Sequence, residues 1–345
     1  MYKKIFMGIA AVAALTLVSC SSDDLNSLSD NSSKNEAISF DGYWGRSAVS
    51  VNGSRGSVID KAEDLQKVSE GFGVFGNYSS TDGEAFGSNL FENQKVTYST
   101  EETKWTYSPK KYWSPQGHID FLAYAPHVDG TTLKNTSCIE FTVADNAADQ
   151  KDLLWANAAN QTKANNSGIG KKVNFKFAHA LSRLGYTVKT DLTSSSDVTI
   201  TLKKITLAGS KDGIQKAFYP KGTINLSTGV WTPSTTDEKQ NFVWLSTDKT
   251  LDSDTKNSDK EYLFVIPQNF SKTEENADAL FVIVEYTIKY GDEKPVTYTV
   301  SSQLKQNFEQ GTAYSINLTL GLTPIEFDAD VTGWKNTEEK DVYWN

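Results

Sequence analysis

The sequence predicts an all-β protein with two sandwich-like halves. Apolar residues alternate with polar ones through most of the chain after Ile38, and Gly, Asn, Asp and Ser cluster between these stretches. A period of two is typical of strands with one buried face, and frequent turns between short strands favour β-sandwiches. The chain has 345 residues, of which 38% are hydrophobic, so it is long and apolar enough for two packed cores.

Five apolar stripes carry the strand prediction. They are Val173/Phe175/Phe177, Leu184/Tyr186/Val188, Val198/Ile200/Leu202, Val282/Val284/Tyr286/Ile288/Tyr290 and Tyr314/Ile316/Leu318/Leu320. Gly291 and Asp292 follow the fourth stripe and predict a hairpin that returns through Val296. The glycine-rich run Phe72–Gly76 opens no predicted helix, so we interpret it as a buried strand with close backbone approach.

One helix is predicted, over Lys61 to Glu70, with Asp60 as its N-cap and Gly71 as its C′ residue. Ala62, Leu65 and Val68 would share the inner face of this helix. A polar stretch from Thr190 to Asp197 then predicts a domain boundary, which gives an N-terminal sandwich over 38–190 and a C-terminal sandwich over 191–345.

The N-terminus has the features of an export signal. Lys3 and Lys4 precede an apolar run that is too short to span a bilayer comfortably, and the run ends in Leu17-Val18-Ser19-Cys20. This ending resembles a bacterial lipoprotein cleavage box, so residues 1–19 are predicted to be removed and Cys20 to carry the lipid. A plain signal peptide with a chance cysteine is the alternative. Residues 20–37 are predicted to form a flexible tether.

Charge and cysteine content exclude several classes of partner and site. The formal net charge is -9, whereas nucleic acids and anionic lipid surfaces require a basic stripe. Cys138 lies in a strand-like segment without an evident base nearby, so it is interpreted as a small buried hydrophobe rather than a nucleophile.

The sequence contains no recognisable catalytic, metal or cofactor site. His118 and His127 flank the strand-like run 119–125, so they should lie too far apart to bind one metal ion, and His179 is expected to be an ordinary surface or hydrogen-bonded residue. Asp328 and Asp330 lie two residues apart and could face one cation, but an outward polar face is the simpler interpretation. An enzyme is therefore not predicted.

Aromatic residues suggest one alternative function. The chain has eight tryptophans, most of them within apolar alternation where core packing is expected. Trp105, Tyr107, Tyr112 and Trp113 cluster around Pro109 and could instead form a platform that stacks on sugars. A surface glycan-binding lipoprotein is therefore kept as the alternative to the function described next.

Several short segments recur in order along most of the chain after residue 37. They are Ile38-Ser39-Phe40, Phe72–Tyr78, Tyr112-Trp113, Ile119–Pro126, Asp152–Ala156, Phe177–Leu184 and Tyr262–Gln268. Taken together, they resemble the fimbrillin (Mfa-like) family of Bacteroidales. The resemblance implies two transthyretin-like β-sandwich domains in tandem, without enzymatic activity or cofactor. It also implies a palmitate-bearing lipoprotein of the outer membrane that joins other fimbrial subunits in a type V pilus for adhesion to a host or bacterial surface. Ser21-Ser22-Asp23-Asp24 resembles the surface-export tag of Bacteroidetes lipoproteins.

In this family scheme an arginine-specific protease removes an N-terminal segment that includes the first strand. Arg46 and Arg55 lie among small residues after the first predicted strand and are candidate cleavage sites, with Arg46 preferred. Two ordinary surface arginines are the alternative.

The vacated groove would then accept a strand from a neighbouring subunit. The candidate donor residues are Ile325, Phe327, Ala329 and Val331, which alternate with acidic residues after Pro324. The same segment could instead be the last strand of its own domain. A stalk, tip or anchor role stays open.

Overall fold

Strands dominate the computed structural model, which describes residues 37–44, 59, 62–80, 88–166, 171–190, 197–245, 248–251, 256–257, 262–272, 278–321 and 328–333. The first eight strands are β1 (Phe40–Trp44), β2 (Phe72–Ser79), β3 (Ser88–Ser99), β4 (Lys104–Thr106), β5 (His118–Ala125), β6 (Cys138–Thr142), β7 (Leu154–Gln161) and β8 (Val173–His179). Among the described residues, helical structure is limited to α1 (Ala62–Lys67), α2 (Lys163–Asn166) and a 3₁₀ turn (Ala147–Asp149).

Fourteen strands follow in the described part of the second half. They are β9 (Ser182–Thr190), β10 (Val198–Ala208), β11 (Lys221–Asn225), β12 (Trp231–Pro233), β13 (Phe242–Leu245), β14 (Lys249–Leu251), β15 (Lys256–Asn257), β16 (Leu263–Val265), β17 (Gln268–Asn269), β18 (Leu280–Tyr290), β19 (Val296–Leu304), β20 (Asn307–Phe308), β21 (Ala313–Leu320) and β22 (Asp328–Gly333). The prediction of an all-β protein is confirmed.

A seven-stranded sheet organises the first half, in the order β1-β8-β7-β5-β2-β3-β4. Its neighbours are antiparallel except β1 and β8, which run parallel. The terminal strands β1 and β4 also contact each other, so the sheet curls around one apolar cluster. We call this cluster the first core; its members include Phe40, Phe72, Phe91, Phe121 and Phe175.

The second half packs two larger sheets on a shared core. One sheet has the order β13-β10-β18-β19, and the other has the order β15-β9-β21-β22. Alternate residues of β18 are buried from Leu280 to Ile288, as the stripe predicts. Across the interface, the rings of Tyr186 and Trp244 meet edge to face at 5.0 Å. We call this apolar cluster the second core; it has the face-to-face arrangement of a sandwich.

Strand pairing changes from the first sheet to the others between His179 and Ser182. β9 ends at Thr190, before the predicted boundary, yet it runs parallel to β21, which lies after the boundary. Likewise β6, before the boundary, pairs with β11, after it. All described residues fall within one compact unit. The division into tandem domains at 190/191 therefore stays a prediction.

The predicted hairpin is confirmed, whereas the predicted helix is shorter than expected. The β18–β19 hairpin pairs Ile288 with Val296. The helix α1 ends at Lys67 instead of Glu70, because the chain turns there and the Gly71 N–H donates to the Val68 carbonyl at 2.9 Å. Gly71, with φ of 64°, thus closes this turn and is not the C′ residue of the helix. Asp60 lies outside the described residues.

The glycine-rich run is a buried strand, as predicted. A Cβ atom on Gly73 would lie 2.5 Å from Cε1 of Tyr124, and one on Gly76 would lie 2.8 Å from Cδ2 of Phe91. Glycine is therefore required for the rings of neighbouring strands to pack against the β2 backbone. Over the described ranges, no helix has both the length and the apolar character needed to cross a membrane.

Candidate strand-exchange site

The first strand closes the curled sheet of the first half. Its backbone pairs with β8 from Phe40 opposite Val173 to Trp44 opposite Phe177. On the other side, the Ile38 N–H donates to the Lys111 carbonyl at 2.8 Å, and Ala37 forms a bridge with Tyr112. Segment 37–44 therefore lies between β8 on one side and the chain that follows β4 on the other.

The inward side chains of this segment fill the first core. Ile38 and Phe40 are each 1% exposed. The Phe40 ring lies 5.4 to 5.6 Å, centroid to centroid, from the rings of Phe91, Tyr107, Phe121 and Phe175. Burying two side chains of this size contributes roughly 3–6 kcal/mol, so the first core depends on this one short strand.

The third inward position, Gly42, is more crowded. A Cβ atom there would lie 3.2 Å from Cε2 of Phe177 and 3.4 Å from Cδ2 of Leu65 on α1. Both neighbours are ends of side chains, which can shift by a few tenths of an ångström. A methyl group at this position therefore requires a small shift of these two side chains, and a larger side chain requires a larger one.

Tyr107 anchors the far side of the strand. Its hydroxyl donates to the Ile38 carbonyl at 2.6 Å, although the tyrosine is only 7% exposed. Burial raises the pKa of Tyr107 to about 12, because the phenolate would be poorly solvated there. The hydroxyl therefore stays protonated and keeps donating at neutral pH.

The chain beyond β1 is anchored again at Ile59. Arg46 and Arg55 lie outside the described residues, between these two anchors. Ile59 is buried, and its N–H donates to Oδ2 of Asp152 at 3.3 Å. The same carboxylate, fully buried, contacts Nδ1 of His179 at 2.9 Å. His179 is thus a hydrogen-bonded buried residue, one of the two outcomes expected for it.

The other two histidines occupy separate environments. His118 lies 3.5 Å from Asp120, and the His127 ring contacts the Asn93 carbonyl at 3.2 Å through Nε2. Within the described ranges, no three His, Cys, Asp or Glu residues are grouped so as to hold a metal ion. Cys138 is half-buried in β6, where it pairs with Asn225.

The candidate donor segment lies partly outside the described residues. Ile325 and Phe327 are outside them, as is Cys20. Ala329 and Val331 belong to β22, which pairs antiparallel with β21 and ends the order of its sheet. Ala329 is half-buried against the second core. The described part of this segment is therefore a last strand of its own chain, the alternative left open by the sequence.

The hypothesis of a sugar-stacking platform around Pro109 is wrong. Trp105 and Trp113 are 5% and 3% exposed, and both belong to the first core. Trp105 packs edge to face on Phe72 at 4.8 Å between ring centroids. Only Tyr112 of the four proposed aromatic residues is exposed. Indole rings that are covered by protein on both faces cannot stack on a glycan.

A family model for fimbrillin-like proteins matches residues 61–334, most of the chain. The chain belongs to the fimbrillin-like family. The match begins beyond β1 and both candidate arginines, and it includes β22. As a member of the fimbrillin-like family, the protein is a cell-surface subunit of the fimbrial and adhesion type.

Solved structures share the fold of this fimbrillin-like chain. A fimbrial protein from Bacteroides vulgatus is 21% identical with a TM-score of 0.66, over 87% of this chain and 100% of that one. A candidate cell-adhesion protein from Bacteroides uniformis is 16% identical with a TM-score of 0.50, over 86% and 97%. No curated protein matches the chain. At these identities the likeness concerns the fold alone.

Proposed function

We propose that the protein is a structural or accessory subunit of a type V pilus that polymerises by strand exchange. In this proposal, proteolysis removes β1, and the C-terminal segment of a neighbouring subunit takes its place. The observation that carries the proposal is that segment 37–44 completes the first core. Both candidate cleavage sites, Arg46 and Arg55, lie in the stretch that joins this segment to the chain after it. The function is cell adhesion through the polymer, with other fimbrial subunits as partners.

Cleavage at Arg46 or Arg55 would separate two anchored parts of the chain. The part before the cut contains Ile38 and Phe40, which would then be held by non-covalent contacts alone. The part after the cut begins at Ser47 or Gly56 and is anchored at Ile59, which stays bonded to Asp152. Loss of β1 would therefore leave a groove with an apolar floor and an unpaired β8 edge, which is the kind of site that accepts an added strand.

The candidate donor has the same pattern of side chains as the strand it would replace. The inward positions of segment 37–44 are Ile38, Phe40 and Gly42, and residues 38–42 read Ile-Ser-Phe-Asp-Gly. Residues 325–329 read Ile-Glu-Phe-Asp-Ala. Aligned in the same direction, Phe327 takes the place of Phe40, and Ala329 takes the place of Gly42, where a methyl group fits.

The outward positions match as well. Asp41 lies 3.3 Å from Nζ of Lys172, and Asp328 occupies the equivalent position in the donor. A half-exposed ion pair of this kind contributes little energy, but it favours one register over a slip by one residue. Donation also requires β22 to leave β21, so the exchange is a competition between two strand pairings.

The lipid anchor belongs to the same proposal. Acylation of Cys20 with palmitate would hold the protein in the cell outer membrane until trimming releases it. The mass of the N-terminal peptide from membrane-extracted protein tests this step. A peptide that begins at Cys20 with an acyl mass supports it, whereas an unmodified cysteine contradicts it.

Trimming of the purified protein by an arginine-specific protease tests the assembly step. We expect a new N-terminus after Arg46 or Arg55, followed by growth of oligomers in size-exclusion chromatography. Replacing both arginines with lysine should prevent cleavage and growth together. Trimmed protein that stays monomeric would contradict the proposal.

A matched pair of substitutions tests the register. Ala329→Leu should allow trimming but block growth, because leucine cannot enter the space beside Phe177 and Leu65. Asp330→Leu is the control, since the equivalent position in β1 carries Tyr43, which is also large. Equal growth of both variants would refute the alignment. The trimming experiment does not depend on the alignment, so it tests the assembly step separately.

A further inference from the structure

A second feature of the first half is a cleft on the opposite face of the curled sheet. Residues 72, 74 and 76 of β2 face the first core, whereas Phe75 and Asn77 face the cleft. Glu92, Asn93 and Lys95 of β3 form one wall, and the loop over residues 127–136 forms the other. The cleft has a volume of about 700 Å³, which lies within the range of small-molecule sites.

Asn77 is the least expected residue in this cleft. It is 3% exposed, and no described residue donates a hydrogen bond to its Oδ1 atom. A buried acceptor without a partner costs about 1–3 kcal/mol, so such groups are rare unless they serve a purpose. Asn77 lines the open cleft but its Oδ1 atom is covered, so a hydroxyl or amide of a bound ligand donates to it once the side chain turns toward the cleft.

The wall of the cleft is held rigidly by Asn93. This residue has a φ of 48°, a left-handed conformation that is uncommon outside glycine. Its side chain accepts from the Tyr124 hydroxyl at 2.7 Å and donates to the Val128 carbonyl at 2.9 Å. Asparagine tolerates this conformation better than most other residues, and the two hydrogen bonds fix its side chain in the wall.

The ring of His127 completes this wall. It stacks on Tyr124 with 27° between the planes, and Tyr124 stacks in turn on Phe75. Burial lowers the pKa of His127, so the ring is neutral at physiological pH. These rings are buried, so they support the wall from behind, and the cleft presents a hydrogen-bonded wall and a set of amide groups before any ligand arrives, which lowers the ordering cost of binding.

The lining chemistry selects the class of ligand. Two carboxylates, Glu92 and Asp129, stand against one cation, Lys95, so an anionic ligand would be repelled. Glu92 accepts a hydrogen bond from Asn89 at 3.1 Å, and Asn135 with three threonines adds further neutral polar groups. Amides, hydroxyls and carboxylates in one cleft match a ligand with many hydroxyl groups.

We infer that this cleft binds a neutral saccharide, such as the end of a surface glycan, with Asn77 accepting a hydrogen bond from a sugar hydroxyl. The inference does not depend on strand exchange, because none of the cleft residues belongs to β1 or β22. It assigns an adhesion ligand to the first half of each subunit, on the face of β2 opposite the first core.

Calorimetric titration of the untrimmed protein with a panel of neutral mono- and disaccharides tests the inference, with acidic sugars as comparison. We expect at least one neutral sugar to bind at one site. Asn77→Leu should weaken binding about tenfold, the effect of one lost hydrogen bond. The same variant should unfold at an equal or higher denaturant concentration than the wild type, since Oδ1 has no partner to lose within the described protein.

Two further variants keep the test decisive. Thr132→Trp changes an exposed residue of the cleft and should abolish binding by filling the space. Gln240→Met removes another buried amide that lacks hydrogen bonds to described residues but lies outside the cleft lining, so it should bind as the wild type does. The inference is overturned if no neutral sugar binds, if acidic sugars bind more tightly, or if Asn77→Leu and Thr132→Trp both retain full affinity.

Discussion

Replacing Phe40 with alanine should destabilise the untrimmed protein by about 3–5 kcal/mol. The ring is 1% exposed and is enclosed by four other aromatic rings, so its removal leaves a cavity that rigid neighbours cannot fill. Urea unfolding followed by tryptophan fluorescence measures the change. Asp41→Ala is the control, because its half-exposed ion pair with Lys172 is worth at most about 1 kcal/mol.

The same substitution should have no effect once β1 has been removed. Trimmed protein prepared from Phe40→Ala and from the wild type should unfold and assemble identically. Phe327→Ala should then carry the penalty instead, weakening assembly of trimmed subunits by a factor of about 100 to several thousand. A loss below about 1 kcal/mol for Phe40→Ala, or a loss that persists after trimming, would refute the assignment of Phe40 to a removable strand.

Three further predictions concern the parts that frame these sites. Gly73→Ala should cost about 1–3 kcal/mol in urea unfolding, because the new Cβ would lie 2.5 Å from Tyr124; an unchanged midpoint would contradict this contact. The pKa of Tyr107 is about 12 in the folded protein, above the ordinary value near 10, so the unfolded chain loses its proton first and stability should fall as pH rises from about 10 to 12. Tyr107→Phe should lose about 1 kcal/mol at neutral pH, and its alkaline fall should be smaller; an identical pH profile would show that Tyr107 does not cause the fall. Asp152→Ala should cost at least about 1.5–3 kcal/mol by removing the acceptor shared by Ile59 and His179, and a loss within about 0.5 kcal/mol would contradict that role.

The strands were predictable because their signal is local. The stripe from Val282 to Ile288 needs only a period of two, and the structure buries the same residues. Pairing partners were not predictable in the same way. Leu184 and Phe175 stand in similar stripes, yet β9 joins β21 and β8 joins β1, since pairing depends on residues far apart in the chain.

The errors have identifiable physical causes. Trp105 and Trp113 surround a proline in a polar stretch, which suggested exposure, but the curled sheet folds them onto the first core. The helix prediction ran too far, because its apolar spacing continues through a turn that Gly71 closes.

The cleft could have been suspected from one residue. Asn77 occupies the same face as Phe75 in an otherwise apolar strand, so it breaks the alternation at a position where burial is expected. Nothing local to that strand indicates that Asn93 adopts a left-handed conformation or that residues 127–136 form the opposite wall. Those features arise from contacts between distant segments.

The central claim is that the C-terminal strand of one subunit replaces β1 of another in a defined register. Asp41 pairs with Asn174, so the alignment places Asp328 beside Asn174 of the neighbouring subunit. Asp328→Cys combined with Asn174→Cys, with Cys20 and Cys138 changed to serine, should form intermolecular disulfides under mild oxidation after trimming. A ladder of cross-linked multimers that appears only in trimmed protein is the predicted result. Trimmed protein that remains uncross-linked, or an equal ladder from untrimmed protein, would contradict the account.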